Sequence, residues 1–236
     1  MLKQLCFFGA LVVLTVSCKT GYIPNSVNTP MLSQKGEFQA SALYSTSSLN
    51  VQTAYALTDK VGLMINGNYH FREWEDEFDP TFINYYERSA FGELGGGYTF
   101  VRTSNFQFDL YAGLGGGRLQ SIYPDDSDFS FDGFNFRGFI QPSLGLVNKI
   151  VEITFTPRFS YVHVFNTNIG LGTEVYKDVF IEPHFVAKVG YKNVKFVTQV
   201  GLVLPTPLFD ASVGANPFNI GIGIQYSLGG GRWDQE

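Results

Sequence analysis

Between residues 37 and 228 apolar side chains recur at every second position, in one segment after another. The last segment is unbroken: Phe218, Ile220, Ile222, Ile224, Tyr226 and Leu228 fall on one face, and Asn219, Gly221, Gly223, Gln225 and Ser227 on the other. A strand turns successive side chains to opposite faces, so this period means sheet with one greasy face and one small or polar face. Ten such segments can be marked, at 37–45, 49–58, 61–71, 85–100, 105–121, 134–147, 150–165, 175–190, 194–204 and 217–228. After residue 18 no apolar run reaches the roughly 18 residues that a spanning helix needs. The chain reads as all-β.

Alternation alone does not separate a soluble sandwich, polar side out, from a membrane barrel with its polar side facing the lumen. Connection lengths do. The even-numbered connections are short (59–60, 101–104, 148–149, 191–193), and the odd ones after the first are long (72–84, 122–133, 166–174, 205–216). Tight turns at one end and long loops at the other are how an up-and-down transmembrane barrel is built. Charge follows the same division. Lys60, Arg102, Lys149 and Lys192 mark the short turns, whereas Glu73, Glu75, Asp76, Glu77, Asp79, Asp125, Asp126, Asp128 and Asp132 crowd two long loops. The composition agrees: Gly 26, Phe 23 and Tyr 13, with only 16% charged residues, suits strands whose exposed faces are aromatic. Two outward aromatic girdles are expected, where ring bodies meet water at the membrane interfaces. One holds Tyr98, Phe100, Phe106, Phe108 and Tyr226 near the short turns; the other holds Tyr69, Phe71, Phe134, Phe136, Tyr161, Phe165 and Phe218 near the long loops. Without helices, only a closed barrel can satisfy its backbone in lipid. Ten strands are expected, or eight if 37–58 forms a separate hairpin, with both termini in the periplasm.

The amino terminus has the parts of an export signal: Lys3, an apolar stretch over 5–16, and Thr15-Val16-Ser17-Cys18. It resembles a bacterial lipoprotein signal, which implies cleavage after residue 17 and a lipid on Cys18. One Cys then remains, so no internal disulfide forms. Losing Lys3 leaves 15 of the 16 basic residues against 21 acidic ones, a formal charge of about −6, which argues against nucleic acid as a partner. Residues 18–35 read as a lipid-anchored periplasmic linker. The 17 residues of 19–35 reach about 55–60 Å when extended, enough to enter the lumen and return, although a simple tether is the expected use. Lys19-Thr20-Gly21-Tyr22 lacks acidic residues of the kind that accompany surface export of some lipoproteins, so the anchor is expected on the periplasmic side.

Asn219-x-Gly221-x-x-Ile224-x-Tyr226 resembles the carboxy-terminal signal of barrels inserted by the outer-membrane assembly machinery. With the loop parity and the leader, residues 36–228 resemble small Gram-negative outer-membrane barrels. The resemblance implies contact with outer-membrane lipid and lipopolysaccharide and insertion by the barrel assembly machinery. Residues 229–236 run on as a periplasmic tail.

Nothing in the sequence spells out chemistry. Gly95-Gly96-Gly97 and Gly115-Gly116-Gly117 lack the helix and the Lys-Ser or Lys-Thr of a phosphate loop. Inside adjacent strands they suit coiling or close approach of lumen groups. His163-Val164-Phe165-Asn166 resembles the His-x-Ser-Asn of lipid A deacylase barrels but has Phe for the serine nucleophile, and His163 reads as an interface residue. Asp126, Asp128, Ser130 and Asp132 start like a calcium loop, yet Phe131 and Arg137 replace its required Gly and Glu. The inward face should gather Glu37, Arg72, Glu87, Glu93, Asp109, Arg137, Glu152, Arg158, Glu182, His184, Lys188 and Lys195 among Phe91, Tyr111, Phe139 and Phe180. A barrel this narrow is nearly filled by its own side chains, so these charges should pair; a narrow pore or ligand pocket is the alternative. The expectation is a non-enzymatic barrel without cofactor or metal, structural or binding at the cell surface through acidic loops. A narrow channel or transporter stands second and a lipid hydrolase third.

Overall fold

The computed structural model describes residues 22–46, 48–74, 85–122, 130–168, 172–206 and 215–229. The strands are β1 (Phe38–Ser45), β2 (Leu49–Ala56), β3 (Val61–Trp74), β4 (Tyr85–Arg102), β5 (Phe106–Ile122), β6 (Phe131–Val147), β7 (Val151–Asn168), β8 (Gly172–Tyr191), β9 (Val194–Leu202), β10 (Leu204–Pro205) and β11 (Phe218–Leu228). Each of β1 to β8 pairs antiparallel with the next, β9 pairs with β11, and β11 returns to β1 from Phe38↔Leu228 to Ser45↔Gly221. The sheet is therefore closed. The two residues of β10 continue β9 beyond Val203 against Ile181 and Phe180, so the wall has ten staves. The eight-strand alternative is removed, since β1 and β2 are both part of the wall.

Period two sorts the two faces as expected. Ile65 is 66% exposed and Ile224 59% exposed on the outside, while Gln107, Gln141, Arg158 and Gln199 are fully buried within. Tyr98, Phe100 and Tyr226 stand exposed at the short-turn end, and Tyr69, Phe71, Phe134, Phe136, Tyr161, Phe165 and Phe218 at the other. Phe106 and Phe108 are half-buried, with Phe108 5.7 Å from the Phe100 ring. At the long-loop end several strands outrun the alternation. β3 runs to Trp74 rather than 71, β6 starts at Phe131 rather than 134, and β7 and β8 pair up to Asn168↔Gly172. Arg72, Glu73 and Asp132 give no apolar rhythm, but backbone pairing needs none once a hairpin stands clear of the greasy band.

Inside, the glycine runs lie under aromatic rings. A Cβ at Gly97 would sit 2.4 Å from the Tyr111 ring, and one at Gly113 would sit 2.5 Å from Phe139. Tyr111 and Phe139 therefore lie flat on the wall, joining Leu32, Ala54, Ala56 and Met64 in a buried cluster near the short turns.

The tether expected of 19–35 is corrected by its described part. Residues 22–33 are almost all buried, running through the lumen from the long-loop end to the short-turn end. There the chain reverses into β1 through Gly36, whose φ of +84° suits glycine and whose amide donates to Ala56 O at 2.9 Å. An extended chain inside a barrel is stable only if its amides find partners. The inward amide and charged side chains supply them.

Candidate functional site

The site is the filled lumen. Wall side chains from around the barrel hold the main chain of the threaded segment. Asn50 Oδ1 accepts from Ser26 N at 3.0 Å, Gln52 Nε2 donates to Ser26 O at 2.8 Å, and Gln199 Oε1 accepts from Val27 N at 3.1 Å. Lower down, Gln141 Nε2 donates to Asn28 O at 2.7 Å and Lys188 Nζ to Thr29 O at 2.5 Å. At the bottom, Arg102 donates to Leu32 O at 2.6 Å and Ser33 O at 2.7 Å, and Glu37 accepts from Ser33 N and Oγ at 2.6 Å. Pro24 and Pro30 carry no N–H, so the segment brings fewer donors that need a partner. Along its length the wall thus grips the backbone of this peptide.

Its centre is an ion cluster built from strands and segment together. Glu93 of β4 pairs with Arg137 of β6 and, at 3.3 Å, with Arg158 of β7. Asn25 ties the three: its Oδ1 accepts from Arg137 at 2.6 Å and Arg158 at 3.1 Å, and its Nδ2 donates to Glu93 at 3.2 Å. Asn66 donates to Glu93 at 2.9 Å and accepts from Asn28 at 2.8 Å. The guanidiniums also face rings, Arg137 4.4 Å from the Phe91 centroid and Arg158 4.6 Å from that of Phe139. Above the cluster, Arg137 donates to the Tyr22 hydroxyl at 2.6 Å, which donates to Glu182 at 2.9 Å. Tyr22 stacks on Phe180 at 4.8 Å and is buried with Val162, Val164 and Val203. An apolar cluster lies toward each end of the lumen, beside further polar groups.

Tyr22→Phe removes the hydroxyl between Arg137 and Glu182 and leaves a buried carboxylate short of a partner. It should lower stability by about 1–3 kcal/mol, read as a lower denaturant midpoint for loss of the heat-modifiable folded band.

The other charges expected inside form smaller groups. Glu152 meets Lys188 at 2.7 Å and Lys195 at 3.1 Å, Glu87 meets His70 at 3.6 Å, and Asp109 accepts from Gln107 at 3.0 Å. His184 Nδ1 lies 2.9 Å from Glu182 O, and Arg72 reaches Thr46 O at 3.1 Å near the long-loop rim. His163 points outward and stacks on Phe165 at 4.0 Å, away from every lumen group. Of the calcium-like run, Asp132 is held by Arg118 at 2.5 Å and Gln120 at 3.0 Å, whereas Asp126 and Asp128 lie outside the described residues. Among the described residues no cluster of three or more His, Cys, Asp or Glu is arranged to hold a metal. On β11, Asn219 and Gly221 face the lumen and Ile224 and Tyr226 face out; Cys18 lies outside the described residues.

The partners that the charge pattern left out are the neutral ones. Asn25 and Asn28 sit in the segment read as a tether, and Asn50, Gln52, Asn66, Gln141 and Gln199 are inward amides. The recurrence of Asn and Gln on inward positions was the available signal: a lumen meant only for ion pairs has no need of them, but one that holds a peptide does.

No protein-family model matches the sequence, and no curated protein matches it. Among solved structures it is similar to the N-terminal β-barrel domain of Pseudomonas aeruginosa OprF. The TM-score is 0.38 at 10% identity, over 83% of this chain and 100% of that one. It is also similar to the translocator domain of the autotransporter NalP from Neisseria meningitidis, with a TM-score of 0.44 at 10% identity over 95% of this chain and 94% of that one. Both likenesses are loose, and the fold rests on the strand pairing above.

Proposed function

We propose that this protein is a non-enzymatic outer-membrane barrel lipoprotein, closed by its own amino-terminal segment, that acts as a structural or surface-binding element through its acidic loops. The observation that carries this reading is the occupied lumen: residues 22–33 take up the space a solute would use, and wall side chains bond their backbone. The exposed apolar outer face supports a lipid surrounding, because soluble proteins rarely leave so continuous a greasy surface in water. The two girdles support the same membrane span. The long acidic loops then meet the outside, with lipopolysaccharide and its bridging cations as neighbours, and the β11 motif serves the assembly machinery. The outward setting of His163 supports a reading without catalysis.

Planar-bilayer recording tests the closed lumen. The full chain should be silent, and a variant lacking residues 22–33, once its folding is verified by heat-modifiable mobility, should open discrete conductance steps. Steady conductance by the intact chain would overturn the closed reading in favour of a narrow channel.

A further inference from the structure

The threaded segment has a direction, and the direction decides where the chain before it must go. Tyr22 pairs with Ala215 in a parallel bridge, and its carbonyl accepts from Asn216 N at 3.3 Å. Ala215 and Asn216 end the long 206–217 connection, after which β11 runs from Phe218 toward the short turns. Parallel pairing gives residues after Tyr22 the same sense, away from the long loops. Their arrival at the opposite end is on record: Arg102 of β4 holds Leu32 and Ser33, and Lys35 N donates to Asp59 of the 57–60 turn at 2.9 Å. The chain upstream of Tyr22 therefore starts from the long-loop mouth.

Distance excludes a return. Cys18 lies four residues before Tyr22, a reach of about 14 Å at full extension. The apolar band of such a barrel is about 25 Å tall, and the lumen is already taken by residues 22–33. Cys18 cannot reach the short-turn face by either path.

We infer that the amino-terminal residues leave the barrel through its long-loop end, so that Cys18 and the lipid it carries lie on the same side of the membrane as the acidic loops. This rests on the proposed membrane-spanning barrel, whose orientation makes that side the cell surface and the acceptor the outer leaflet. It replaces the periplasmic anchor that the sequence suggested.

Three single substitutions in the full chain test this, each checked for heat-modifiable folding: Thr20→Cys beside the anchor, Asp126→Cys in a long loop and Gln235→Cys in the tail. Intact cells are treated with a membrane-impermeant maleimide and compared with permeabilised cells. The expected result is that T20C and D126C label in intact cells and Q235C labels at least tenfold less until the membrane is opened. T20C sorting with Q235C instead of D126C overturns the inference, whichever side is outside. Labelling of Q235C but not D126C in intact cells overturns the orientation alone, provided that T20C still sorts with D126C. Lys19→Cys serves if T20C does not fold. The wild-type chain, labelled in detergent after denaturation, should stay blank because its Cys18 sulfur is a thioether; a free thiol there overturns the lipid.

Discussion

Replacing Glu93 with Ala is expected to cost about 3–5 kcal/mol, the scale found when one member of a buried ion pair is removed. Glu93 is the carboxylate that Arg137 and Arg158 share, and all three side chains are shut away from water. Losing it leaves two guanidiniums with hydrogen-bond acceptors such as Asn25, Gln141 and the Tyr22 hydroxyl but without that charge. The damage should extend to the segment, because Asn25 and Asn66 both donate to Glu93 and set the height of the peptide in the lumen. Two readouts should therefore move together: the denaturant midpoint should fall, and residues near Pro24 and Asn25 should become open to protease in the folded band. Glu93→Ala combined with Arg137→Met should cost less than the sum of the two single changes, since the double variant removes opposite charges that need each other. Additive losses would mean that the pair is not coupled.

Gly223→Val should have an effect of similar size for a steric reason. By propensity alone valine improves a strand, by up to about 1 kcal/mol relative to poor formers. Here a Cβ would lie 2.1 Å from Ala42 O and 2.7 Å from Leu43 Cα, both on β1 across the closing seam. Backbone cannot step aside as a flexible side chain can, so the seam must open or shift. A cost of about 3 kcal/mol or more is expected, seen as loss of the heat-modifiable band after refolding. A control at Gly92, whose nearest atom would be Asn66 O at 3.9 Å, should be nearly neutral when changed to Val. Equal behaviour of the two variants would rule out the seam contact as the cause.

Most of the wall was legible in the sequence because strands with one apolar and one polar face obey a strict two-residue rhythm. Phe218 to Leu228 could be placed side chain by side chain, and so could the inward row from Glu152 to Ser160 on β7. The strand ends beyond the greasy band were not, since Arg72-Glu73 and Asp132 continue a ladder without continuing the rhythm. The lumen was half legible. Its charged residues were identifiable from parity, but which meets which depends on the slant of strands around a closed sheet: Glu93 lies far along the chain from Arg158, and they meet across the lumen. The threaded segment could not be read at all from periodicity. An extended peptide held by side chains on every side has no favoured face, so Asn25, Ser26, Asn28 and Thr29 look in sequence like an ordinary solvated linker.

The Gly36 reversal joins the lumen segment, through Glu37 alone, to Phe38 at the start of the wall. The peptide is thus a ligand on a leash only a few residues long. Such a ligand meets its site at an effective concentration in about the millimolar range, whatever the dilution of the protein. Occupancy of the lumen is therefore an internal property of each molecule, indifferent to expression level and to competing peptide at ordinary concentrations. What changes it is mechanical or covalent: a pull on the amino-terminal end, or a cut in the leash.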